Sequence, residues 1–181
     1  IGVTGQYSLN PILAFQPCLA PLLTYACVAP ADPTHCIPEM GYEYYEEGLY
    51  EILMDYHQAY PNLPLTVSES GLATLVGRRR SEHIVRSLEQ IARARTDGAD
   101  VRGYYHWSLM DNFEWIYGYE PHFGLYTVDR TQPGYPRVAN EGASTLGTIA
   151  QARRITSAQR ALLGGTGPMT EESDDVKSRF D

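Results

Sequence analysis

The sequence predicts an α/β fold, a parallel sheet covered by helices, and three observations carry the prediction. Helix-period and strand-period segments alternate between Glu46 and Trp107 with short links, the order that builds βαβ units. A β-prone run, Leu65-Thr66-Val67-Ser68, ends on Glu69 with Gly71 just beyond, so a strand delivers a carboxylate at its C-terminal end. A second β-prone run, Val101 to Trp107, opens into the densest aromatic stretch of the chain, GYYHWSLMDNFEWIYGY from Gly103 to Tyr119. The C-terminal ends of parallel strands are where β/α barrels keep their catalytic groups. A chain of 181 residues suffices for one ordinary domain but is too short for a complete barrel.

Taken in order, Ile1 to Leu9 reads as a short buried strand. The chain enters on it directly with Ile1, as expected of a piece lacking its natural N-terminus, so no targeting signal is legible. Pro11, Pro17, Pro21, Pro30, Pro33 and Pro38 then punctuate a connection over residues 10–40 and exclude regular structure there. The uncharged run Ile12 to Ala31 is long enough for a membrane span, but its interior prolines and lack of flanking basic residues favour a loop over a cleft. Glu46 to Tyr60 places Leu49, Ile52, Leu53 and Tyr56 on one helical face, and Pro61 stops it. A second helix is predicted over Ser81 to Thr96 along Ile84, Leu88, Ile91 and Arg95, closed by Gly98. Phe123 to Val128 reads as a hairpin arm and Asn140 to Arg153 as a terminal helix. Residues 1–163 are thus expected to belong to one domain. Residues 164–181, Gly-rich and then acidic, are expected to form a flexible tail; the Gly164 to Pro168 run lacks the Lys-Ser/Thr ending of a phosphate loop.

Charge and composition narrow the function. The 14 Lys and Arg stand against 22 Asp and Glu, a net −8, which disfavours nucleic acid and anionic membrane as partners. His35, His57, His83, His106 and His122 show no ligand spacing, and Cys18, Cys27 and Cys36 form no close pair, so no metal is expected. Free thiols of a cytosolic protein are the expected state of the cysteines, with one disulfide as the alternative. Ser68 and Ser70 lie in no G-x-S-x-G elbow, which argues against a serine hydrolase. His106 reads as a core or rim residue, and the run Arg78-Arg79-Arg80 as solvated surface.

What remains is the aromatic stretch. Both Trp residues, Trp107 and Trp115, lie in it, interleaved with Asp111, Asn112, Phe113 and Glu114. Ring faces stack on the C–H faces of sugars while carboxylates accept their hydroxyl hydrogens, so the stretch suits a polyhydroxylated small molecule. Glu69 reads either as a catalytic carboxylate at a strand end or as a loop Glu engaged in a surface ion pair.

These residues resemble a known family. Val67-Ser68-Glu69-Ser70-Gly71 is similar to the Thr-Glu-Asn-Gly nucleophile motif of the family 1 glycoside hydrolases, the retaining β-glucosidases and β-galactosidases. Trp107 to Trp115, WSLMDNFEW, resembles that family's Trp-Ser-Leu-x-Asp-Asn-Phe-Glu-Trp signature, and the likeness extends from Gly41 to Asp129. It implies the C-terminal part of a (β/α)8 barrel, about three βα units, with Ile1 to Leu9, Leu65 to Glu69 and Val101 to Trp107 as the last three strands. It also implies a cofactor-free reaction on a small glycoside, with Glu69 as nucleophile and Trp107, Glu114, Trp115 and Phe123 as sugar contacts. The family's acid/base carboxyl lies in an upstream Asn-Glu-Pro motif, and no Asn-Glu-Pro occurs in the 181 residues. Ser70 stands where the motif has Asn, and Thr4-Gly5-Gln6 where the sixth strand has Asn-Tyr-Tyr. The expected activity is therefore hydrolysis of terminal β-linked glucose- or galactose-type residues by a longer parent. The alternative is a non-catalytic sugar-binding remnant of the same barrel.

Overall fold

The computed structural model describes residues 33–174. A 3-10 turn, Pro33–His35, leads into a short antiparallel pair, β1 (Cys36–Ile37) and β2 (Tyr42–Glu43). Helix α1 (Gly48–Ala59) follows, then β3 (Leu65–Ser70), helix α2 (Gly77–Thr96) and β4 (Val101–His106). Strands β3 and β4 pair in parallel, so the segment between them is a βαβ unit. A 3-10 turn at Trp115–Tyr117 and a hairpin of β5 (Tyr126–Val128) and β6 (Arg137–Ala139) lie beyond it, followed by α3 (Glu141–Ala152) and α4 (Ser157–Leu163). The strand predicted over Ile1 to Leu9 and most of the proline-rich connection lie outside the described residues. Among the described residues no helix is long and apolar enough to cross a membrane.

Three apolar clusters hold these layers together. Leu49 and Leu53 of α1 meet Ile91 and Ala94 of α2 over Val67 and Val101 of the sheet. Ile84 and Val85 pack with Leu125, Ile149 and Leu163 on the side of α3 and α4. Ile37, Tyr42, Tyr44, Leu72, Ala73, Phe123 and Met169 form the third, at the C-terminal ends of the strands. The predicted βαβ core is confirmed within a few residues at each boundary, including Gly98 at φ +107 where α2 ends.

The structure corrects the sequence in four places. Helix α2 begins at Gly77, so it takes in the arginine run, and Arg79 and Arg80 are buried, at 1% and 2% exposure. Their guanidinium groups are met by backbone carbonyls, a partner the sequence does not display. Helix α4 is a full additional element, started by a capping box in which the Thr156 hydroxyl accepts from Gln159 N–H while the Gln159 side chain accepts from Thr156 N–H. Residues 164–174, expected to be a flexible tail, instead pack on the body of the protein. Met169 and Glu172 are buried there, Arg86 donates to the carbonyls of Gly167 and Pro168, and Thr170 bonds the Glu82 carboxylate. Cys36 is disulfide-bonded, the oxidised alternative in place of the expected free thiol.

Candidate active site

The two motifs come together because β3 and β4 are hydrogen-bonded neighbours. Val67 pairs with Tyr104 and Ser70 with His106, three residues of one strand against two of the other, so β3 carries one extra residue there. A bulge breaks the alternation of side chains. Ser68 and Glu69 are both exposed, while Val67 and Ser70 are buried. Trp107 N–H donates to Ser70 carbonyl at 2.9 Å, which extends the ladder one residue past β4. Gly71 then lies so close to this junction that a Cβ built on it falls 1.7 Å from the Trp107 carbonyl oxygen. The peptide between Trp107 and Ser108 is cis.

Beyond Trp107 the chain folds back on itself around Glu114. The indole N–H of Trp107 donates to Glu114 Oε1 at 3.2 Å and the Asn112 amide donates to the same oxygen at 2.6 Å. Asn112 is held in turn by the Ser108 hydroxyl at 3.3 Å. The buried Tyr42 phenol faces this region; burial first, and then the Glu114 and Glu39 carboxylates, push its pKa well up. Asp111 is buried and does a different task. Its carboxylate accepts the Gly124 N–H at 2.9 Å and the Val128 N–H at 3.3 Å, which closes the loop onto the β5 segment.

Of the residues singled out by sequence, Glu69, Trp107 and Glu114 are thus gathered at neighbouring strand ends, with Asn112 bonded into the group. Trp115 projects from the 3-10 turn at φ +48 and is 83% exposed. Phe123 is 2% exposed and packs in the strand-end cluster, with Trp107 lying against that cluster, so the structure buries it under the site and does not present it on the exposed rim. His106 is a half-buried neighbour of the buried His83, with ring centroids 6.1 Å apart. Both imidazoles are held far below their usual pKa, chiefly by burial; His83 lies at about 3.

Sequence reasoning missed the layer underneath. The Ser70 hydroxyl meets His83 Nε2 at 3.3 Å, Tyr104 hydroxyl reaches His106 Nδ1 at 3.4 Å, and Tyr44 packs edge-on to His83. Residues Arg79 to Ser87 are buried without interruption, on every face of α2. The available signal was compositional: a helix whose N-terminal half shows no apolar stripe is either solvated all round or enclosed all round.

A parallel strand pair with helices packed on it, and aromatic and acidic side chains beyond the C-terminal strand ends, is the arrangement of a portion of a (β/α)8 barrel. The model of glycosyl hydrolase family 1 matches residues 24–154, and the chain belongs to that family. It is 38% identical over 145 residues to a bifunctional β-D-glucosidase/β-D-fucosidase of Bifidobacterium breve, covering 69% of this chain and 32% of the relative. It is 45% identical over 91 residues to a β-galactosidase of Sulfolobus acidocaldarius, covering 50% of this chain and 18% of that protein. The solved β-glycosidase from Pyrococcus horikoshii superposes with a TM-score of 0.67 at 36% identity, over 73% of this chain and 30% of the other. The chain therefore spans only a fifth to a third of the length of these relatives.

Proposed function

We propose that this segment supplies the nucleophile and the glycone half of a retaining β-glycosidase site, acting on terminal β-linked glucose- or galactose-type residues of small glycosides. The observation that carries the reading is the hydrogen-bonded group Trp107, Glu114 and Asn112 beyond β4, next to the β3 strand end where Glu69 is exposed. Glu69 attacks the anomeric carbon and the leaving group departs, which forms a covalent glycosyl-enzyme that water then hydrolyses. Trp107 stacks beneath the sugar, Glu114 accepts hydrogen bonds from its hydroxyls, and Trp115 reaches a further hydroxyl through its indole N–H. These contacts accelerate the reaction to the extent that they tighten in the oxocarbenium-like transition state.

The family resemblance puts the acid/base carboxyl in an Asn-Glu-Pro motif, which does not occur in these 181 residues, so the reading takes that carboxyl from a longer parent polypeptide. The purified 181-residue chain accordingly cleaves an alkyl β-glucoside, whose leaving group must be protonated, at least about 10²-fold more slowly than the full-length polypeptide, the low end of what general acid catalysis contributes. In the full-length polypeptide, a 2-fluoro glycoside traps an adduct on Glu69, seen by peptide mass spectrometry; an adduct on Glu114 reverses the two roles.

Ser70 motivates a second reading. It replaces the Asn of the nucleophile motif, is 2% exposed, and meets buried His83, so it is turned away from any bound sugar. A polypeptide that binds glucose-type ligands saturably yet takes no label at Glu69 is a carbohydrate-binding remnant.

A further inference from the structure

We propose that Arg80 is a positioning residue that sets the Glu69 strand end against the Trp107 platform; the inference rests on the glycosidase reading above. Arg80 sits in the first turn of α2, on neither motif, and its side chain reaches the junction between them. One terminal nitrogen, Nη1, donates to the carbonyl of Leu72 at 2.8 Å and to that of Phe123 at 3.0 Å. The other, Nη2, donates to the carbonyls of Thr74 and His122. Leu72 and Thr74 belong to the loop leaving β3, three and five residues after Glu69. His122 and Phe123 belong to the segment returning from the aromatic stretch. A single planar cation therefore holds four acceptors, two from each side of the site.

The clamp reaches both motifs through few intermediates. On one side, Gly71 lies between Glu69 and Leu72 and rests on the Trp107 carbonyl. On the other, the Phe123 carbonyl that accepts from Arg80 also accepts Ser108 N–H at 3.1 Å, and Ser108 is bonded to Trp107. Thr74 N–H donates to the His122 carbonyl at 2.9 Å, so the two loops also meet directly. Burial lowers the Arg80 pKa to about 10, and the charges of Asp111, Glu39 and Glu172 oppose the shift, so the guanidinium stays protonated at neutral pH. A fork of fixed N–H donors can span four carbonyls, whereas the compact ammonium of lysine presents three donors from one point.

Arg79 is the internal control. It is equally buried and adjacent in sequence, but it donates to the carbonyls of Thr34 and Cys36, on neither side of the junction. In the 181-residue chain, hydrogen exchange of the Thr74 and Ser108 amides is followed well below the melting temperature in Arg80→Lys and Arg79→Lys. Arg80→Lys raises both exchange rates at least about tenfold, and Arg79→Lys leaves them at the wild-type level while lowering the melting temperature. In the full-length polypeptide, Arg80→Lys slows maximal labelling of Glu69 by a 2-fluoro glycoside about 10²-fold, with the concentration for half-maximal labelling within about threefold of wild type. Unchanged exchange in Arg80→Lys overturns the clamp. Faster exchange with an unchanged labelling rate overturns the positioning role, as does an equal slowing in Arg79→Lys. A wild-type polypeptide that takes no label at Glu69 refutes the glycosidase reading and the positioning role with it, while the exchange result still decides the clamp.

Discussion

The footing beneath Glu69 and the aromatic lobe beyond Trp107 solve opposite problems. Beneath Glu69, Ser70, His83, Arg80 and Leu72 are each at most 2% exposed, and buried hydrogen bonds join the polar members to their surroundings. In the lobe, Trp115 and Ile116 are 83% and 88% exposed, Leu109 61% and Phe113 57%. The lobe keeps its form through local contacts: Phe113 against Tyr119 at 5.2 Å, and the Arg130 guanidinium over the Tyr119 ring at 4.0 Å. Under the proposed function, the difference separates what positions a nucleophile from what receives a ligand. A reacting carboxylate needs a junction that cannot shift by a fraction of an ångström, whereas ring faces that stack on a sugar must remain open to it.

The harshest way to break the footing is Gly71→Ala. The added methyl carbon meets the Trp107 carbonyl oxygen at 1.7 Å, and a backbone atom cannot rotate away as a side-chain end can. Strands β3 and β4 must separate at their C-terminal ends, at a cost of about 3 kcal/mol. Urea denaturation gives the stability, and loss of protection at the Trp107 amide, bonded to the Ser70 carbonyl, locates the damage.

Acid tests the same footing more gently. The buried His83 and the half-buried His106 lie beside each other and near Arg80, and both folded-state pKa values lie far below the ordinary value near 6.5. The unfolded chain therefore binds protons that the folded chain does not. Stability is fully present above about pH 6.5 and falls as pH drops below it, continuing to fall toward the folded pKa of His83 at about 3. Each histidine contributes a slope approaching about 1.4 kcal/mol per pH unit. Replacing His106 by Phe removes its share of the slope between pH 6.5 and 5, measured by urea midpoints at each pH. An unchanged slope means that His106 opens to water and protonates without unfolding.

Much of this footing was hidden from sequence for a definite reason. Periodicity located α1, β3, α2 and β4 because Leu49, Leu53, Ile84 and Ile91 repeat at helical spacing and the strands are β-prone runs. It could not place Arg79 and Arg80 inside, since buried arginines are rare unless partnered and their partners here are backbone carbonyls. Nor could it show the bulge at Ser68 and Glu69, which depends on the pairing partner. The packing of residues 164–174 is hidden for a related reason: their apolar anchor, Met169, stands alone among glycines and acidic residues. The Thr156 and Gln159 capping box was legible and marks a helix that composition alone concealed. The rim was the easier part, because Trp107, Glu114 and Trp115 lie within nine consecutive residues.

Within the lobe, the hydrogen-bonded inner part and the open outer part should also come apart. Asn112→Ala removes the 2.6 Å bond to Glu114 Oε1 and lowers stability by about 1 kcal/mol, since the group is partly exposed and water replaces some of the loss. Glu114 keeps the Trp107 indole as a partner and gains freedom to swing, so under the proposed function affinity for a glucose-type ligand, measured by isothermal titration of the full-length polypeptide, falls with it.

Trp115→Ala is expected to have the smallest effect on folding. A side chain 83% exposed leaves little apolar area to lose, and the left-handed φ of +48 is no easier for the tryptophan than for the alanine. Its stability stays within about 0.5 kcal/mol of wild type by urea denaturation. Ligand affinity is the contrasting readout, because in the glycosidase reading the indole supplies both a stacking face and an N–H that nothing else in the lobe replaces. Isothermal titration of the full-length polypeptide with a glucose-type inhibitor should show a fall of about tenfold, the equivalent of one lost hydrogen bond to a sugar hydroxyl. If stability falls instead and affinity holds, the outer lobe is part of the footing after all, and the division between a rigid junction and an open receiving surface does not stand.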